Sequence, residues 1–130
     1  MKKFIALFAL TYIGFAVVVG LGIYLLAPQS HPGSLNTIDI LLSVTLVGFL
    51  FARKHKRVLT SQEYRTLVIS CIIIDAAYQS FGCILFLFTS DKPPAYPFLP
   101  TLLLIVGGHA LLFAVGFSSR VIQRYVPAGT

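Results

Sequence analysis

Tryptophan is absent from this 130-residue chain, and acidic residues number only four against ten lysines and arginines. Charged side chains make up 11% of the sequence, less than half the roughly 25% of an average soluble domain. A scarcity of that size excludes the water-facing shell of an ordinary globular domain. Cysteine is also sparse. Cys71 and Cys83 lie twelve residues apart in one helical run, about 18 Å at 1.5 Å per residue, which excludes a disulfide between them. With three scattered histidines they form no zinc-ligand spacing, so neither a metal site nor a cofactor is expected. No nucleophile-base set, phosphate-binding glycine loop or metalloprotease motif occurs, and the chain does not read as an enzyme.

What is present is apolar sequence. Hydrophobic residues make up 57% and the mean hydropathy is +0.88, a composition suited to a bilayer. Four apolar runs stand out, each near the length of about 20 residues that a hydrocarbon core requires. They cover residues 4–27, 36–52, 66–88 and 98–119. Met1-Lys2-Lys3 precedes the first, which is too long for a signal-peptide core and lacks a small-residue cleavage pattern before Pro28, so it reads as a retained span. The segments PQSHPGS (28–34) and TSDKPPAYP (89–97) are proline-rich turns. Asn36 reads as a helix cap and Asp39 as a first-turn carboxylate facing the positive end of the helix macrodipole. Thr60-Ser61-Gln62-Glu63 matches a capping box, which predicts a third helix starting near Thr60 and entering the apolar phase near Leu67. The expected architecture is a single all-α domain, an integral membrane bundle of four transmembrane helices.

Basic residues cluster at alternate run ends. Nine of the ten, including Arg53, Lys54, Lys56 and Arg57 between the second and third runs, fall on one side of this threading, and only Lys92 falls on the other. The positive-inside rule then places both termini in the cytoplasm. Topology accounts for the basic excess, so nucleic acid is not an expected partner. The lipid bilayer is, and the basic cluster is suited to anionic head groups.

Asp75 interrupts one of the most apolar stretches, CIIIDAAYQS (71–80). A carboxylate at the centre of a bilayer costs about 2.5–3.5 kcal/mol on insertion scales, so it should face the bundle interior and find a partner. Asp75 lies ten residues beyond Arg65, about 15 Å along a helix, and His109 eleven residues before Arg120, about 16 Å. Equal depth makes His109 the leading partner. Tyr78 and Gln79, three and four residues on, share the helix surface of Asp75. Gly107 and Gly108 are expected to let the third and fourth helices approach closely, gathering Asp75, Tyr78, Gln79 and His109 into one hydrogen-bonded group. Such a group serves as interhelical glue, as a recognition surface, or as a proton site. Other tyrosines, Tyr12 among them, read as interfacial rings near span ends. Small pairs such as Gly48 and Ala52 read as packing.

The Met-Lys-Lys start, the four short-linked spans and the stretch F-x-R-K-H-K-R-x-x-T-x-x-E, here Phe51 to Glu63, resemble a group of small four-span inner-membrane proteins of Gram-negative bacteria. That group carries no established activity; the resemblance implies a bacterial inner-membrane location. The layout is also similar to membrane-embedded immunity proteins that recognise the hydrophobic helices of pore-forming toxins, and to a small accessory protein of the ATP synthase operon. The polar-track motifs of fluoride channels and the first-span glutamate of small multidrug transporters are absent. The expected function is intramembrane partner binding of the toxin-immunity kind, with Asp75, Gln79 and His109 as specificity contacts. The alternatives are a small proton- or cation-coupled transporter or channel subunit, possible as a homo-oligomer, and an assembly factor for a larger membrane complex.

Overall fold

The computed structural model describes residues 1–26, 36–89 and 97–128. The two expected proline-rich turns, with His31, Lys92 and Tyr96, lie outside the described residues. Among the described residues five helices follow one another: α1 (Lys2–Leu26), α2 (Asn36–His55), α3 (Ser61–Thr89), α4 (Phe98–Gly116) and α5 (Ser119–Gln123). Among the described residues there is no strand. The first four helices are long and apolar enough to cross a membrane.

The turn between α2 and α3 is built as its residues dictate. Lys56 closes α2 by donating its backbone N–H to Ala52 O at 2.8 Å, and it does so at φ 51°, in the left-handed region. The capping box then forms in both directions: the Thr60 amide donates to Glu63 Oε2 at 2.9 Å and the Glu63 amide to Thr60 Oγ1 at 3.3 Å. Arg57 grips the same carboxylate with two bonds of 2.7 and 2.8 Å. That guanidinium, helped by the Thr60 amide, holds the Glu63 carboxyl down at about 2. Glu63 lies before the apolar part of α3, so this clamp sits in the polar turn.

The C-terminal boundary differs from the reading of the sequence. A fourth run to residue 119 is too long, because α4 stops at Gly116. The Phe117 amide returns to Phe113 O and the Ser118 amide to Val115 O, which ends the helix. Ser118 O then accepts from Val121 and Ile122, starting α5 in a new direction. The change of course buries Ile122 completely against α2. A Cβ built at Gly48 would lie 2.7 Å from Ile122 Cδ1, and one at Gly116 would strike Val44 Cγ1. At both places the neighbouring side chain occupies the space a methyl would need, so a larger residue must displace Ile122 or Val44.

Three helices bury a stripe of period four. On α1 it is Phe4, Phe8 and Tyr12; on α3, Leu67, Cys71 and Asp75; on α4, His109, Phe113 and Phe117. Residues four apart share one helix face, so each stripe turns a single line toward the bundle axis. Phe8 stacks on Tyr12 at 5.6 Å and meets Phe113 edge-on at 5.5 Å, while Phe4 meets Phe51 edge-on at 5.2 Å. In an apolar solvent such close packing, rather than release of water, holds helices together. Burial stops at one level: no described side chain of α1 beyond Tyr12, of α3 beyond Asp75, or of α4 before His109 is buried. Among the described residues the bundle is therefore tight at its basic end and loosely packed at the other.

Candidate functional site

Asp75 sits where the tight half ends. It is fully buried, and its carboxylate joins side chains from three helices. Tyr12 Oη donates to Oδ1 at 2.7 Å, Gln79 Nε2 reaches the same oxygen at 3.4 Å, and His109 Nδ1 lies 2.9 Å from Oδ2. The Nδ1–Oδ2 contact is the hydrogen bond of the pair, and Nε2 faces away from it. Tyr12 Oη also lies 3.0 Å from Asn36 Oδ1. The hydroxyl has one proton and the shorter contact takes it. The Asn36 contact is then completed with that amide turned to present its nitrogen. Asp75 thus ties α1, α3 and α4 together, and Tyr12 extends the network to α2.

Of the four residues expected at the site, Asp75, Gln79 and His109 are brought together by hydrogen bonds. Tyr78 is not bonded to Asp75. It belongs to the group through its ring, edge-on to Tyr12 at 5.2 Å, because its position three residues on turns the phenol toward α1 rather than back along its own helix. The expected close approach at Gly107 and Gly108 also fails, since a Cβ at either would meet nothing within 4 Å. α3 and α4 meet instead on the face that carries His109 and Phe113.

Tyr12 and Asn36 were missed as members. Tyr12 was assigned to an interface, yet it lies nine residues past Lys3, about 14 Å, the same depth that linked Asp75 with His109. That count was available in the sequence. Asn36 opens α2 as expected, and its side chain is used by Tyr12.

Beyond this level the helices enclose a cavity of about 660 Å³. Val19, Leu104, Ile105 and Leu112 give it apolar walls, and Asn36, Asp39, Gln79 and His109 supply polar groups. Asp39 stands in the first turn of α2, as expected, but it is only 3% exposed and its Oδ1 has no hydrogen-bond partner. One turn on, Ser43 Oγ is buried and unpartnered as well. An unsatisfied buried polar group costs about 1–3 kcal/mol. Asp75 itself does not line the cavity. It positions His109 and Gln79, which do.

Toward the basic end the cluster rests on Phe8, Leu67, Cys71 and Phe113, all fully buried and none a polar path. The expected basic cluster is exposed and anchored on rings: Arg53 over Phe49 at 5.1 Å, Lys54 over Phe4 at 5.9 Å and Arg57 over Phe51 at 5.5 Å. Lys56 serves the turn. Among the described residues no group of three or more His, Cys, Asp or Glu side chains is placed to hold a metal ion. No protein-family profile, curated protein or solved structure matches this chain.

Proposed function

We propose that this chain is a multi-pass protein of a bacterial inner membrane, with both termini cytoplasmic, that works by intramembrane recognition rather than bond-making. Its partner is another membrane-inserted helix, most simply that of a pore-forming toxin against which it confers immunity. One observation carries this reading: a cavity bounded by long apolar helices has a floor and wall of polar groups that hydrocarbon chains cannot satisfy. A helix with a matching polar side chain can satisfy them.

Asp75 enters this reading as a positioning residue, with Gln79 and His109 as the contact residues. The test is an affinity pull-down from solubilised membranes, comparing wild type with Gln79→Leu and Asp75→Asn at matched protein levels. A specific membrane partner held by wild type and lost by Gln79→Leu is expected. Equal recovery by all three variants would remove the cluster from recognition. A reporter fused after Thr130 should signal the cytoplasm, and a periplasmic signal would reverse the topology.

The proton- or cation-coupled reading draws on a different observation, the Asp75–His109 pair at the inner end of a one-sided cavity. Proton flux into liposomes that Asp75→Asn abolishes without unfolding the protein would favour it over partner binding.

A further inference from the structure

The recognition reading leaves open what chemistry the cavity selects, and Asp39 answers it. Three observations converge on this carboxylate. It is almost wholly buried, it lines the cavity, and one of its oxygens has no hydrogen-bond partner among the described residues. Among the described residues no lysine or arginine lines the cavity. The one nearby base, His109, already faces Asp75 through Nδ1. The start of α2 favours a negative charge in its first turn, and an unpaired carboxylate oxygen asks for a donor from outside.

We infer that Asp39 receives the ammonium group of a lysine carried by the partner helix. The rest of the cavity fits that choice. A lysine arm is four methylenes ending in a point charge, and the apolar walls can take the arm while Asp39 takes the head. A lipid ethanolamine head group offers the same ammonium but brings its phosphate with it, toward a region that already holds Asp39 and Asp75. A lysine brings no anion. This assignment rests on the recognition reading for the place of the site, and adds the charge rule by which a partner is chosen.

The probe is 4-phenylbutylammonium, which carries the lysine arm, compared with the neutral 4-phenylbutan-1-ol. Both are titrated calorimetrically into the full chain in nanodiscs, with empty nanodiscs subtracted. The ammonium should bind about tenfold tighter than the alcohol. Asp39→Asn should abolish the difference and Asp39→Glu should keep most of it. Should Asp39→Asn fail to fold, Gly108→Leu fills the cavity without touching its charge and should weaken uptake of the ammonium.

Equal binding of the two probes to wild type would overturn the charge rule and leave a recognition site that is blind to charge. Binding of neither would also overturn it, and the pull-down above would then decide the recognition reading separately. Displacement of the ammonium probe by dihexanoyl phosphatidylethanolamine, but not by its choline counterpart, would transfer the site to a lipid head group and overturn the lysine assignment. In the pull-down, Asp39→Asn should lose the partner.

Discussion

Replacing His109 by Leu removes the hydrogen-bond partner of Asp75 Oδ2 and leaves the acid in place. Asp75 is fully buried and retains only the Tyr12 bond at 2.7 Å and the long Gln79 contact at 3.4 Å. Stranding one member of a buried pair costs about 3–5 kcal/mol. His109 is 8% exposed and lines the cavity, so water can reach the vacated space and screen part of the charge; the expected cost is near the lower limit, about 3 kcal/mol. Asp75→Asn acts differently. The amide keeps an acceptor for Tyr12 and removes the ion, so about 1–2 kcal/mol is expected, the worth of one charged hydrogen bond exchanged for a neutral one. With the ion gone, His109→Leu strands nothing, and the double variant should cost roughly 1–3 kcal/mol, well under the sum. Reversible unfolding in mixed micelles, followed by far-ultraviolet circular dichroism against the detergent mole fraction, supplies all four corners of the cycle. A coupling of about 2 kcal/mol is expected. Additivity within about 0.5 kcal/mol would show that the two residues do not act as a pair and would refute the reasoning.

Gly48→Val should displace Ile122, whose Cδ1 already stands 2.7 Å from the added carbon, and undock α5; faster proteolysis within residues 119–124 would report it. Ile122→Ala should destabilise the same contact by about 2–4 kcal/mol through the cavity it leaves, read in the same unfolding titration. The Glu63 carboxyl lies below its ordinary value, so the stability it contributes is present above the ordinary carboxylate range and is lost as pH falls from there toward about 2. Helix content should therefore decline over that window in wild type, and Glu63→Gln should flatten the decline. Lys56→Gly should raise stability by about 1 kcal/mol, because glycine adopts the φ of 51° without the penalty a side chain brings.

How far the sequence could be read depended on whether the determining physics runs along the chain. The capping box at Thr60 and Glu63 is local, and it forms as the residues imply. Depth along a helix is also local: counting from the basic ends places Asp75 and His109 at one level, and they meet. The same count applied to Tyr12 would have added the shortest bond in the cluster, had its ring not been assigned to an interface. Rotation of one helix about its axis is not local. Nothing in the chain distinguishes a Gly107–Gly108 pair that touches a neighbour from one that faces open space, and the structure selects the second. Likewise, α5 exists because Ile122 finds the space above Gly48, a complementarity between segments more than seventy residues apart. The orphaned oxygen of Asp39 belongs to the same class, since a first-turn carboxylate is ordinary until its neighbours fail to supply a donor.

Asp75 is the middle residue of α3, fourteen positions from Ser61 and fourteen from Thr89. Fastened there to α1 and α4, the helix is a balanced beam with arms of about 21 Å on either side of its pivot. A balanced beam has no mechanical advantage: a sideways step at one tip reappears, reversed and undiminished, at the other. Whatever wedges the open end apart therefore moves the Ser61 tip by the same amount. At that tip stand the Arg57–Glu63 clamp and the Tyr64 hydroxyl bonded to Ala114 O, which would register the event on the opposite face.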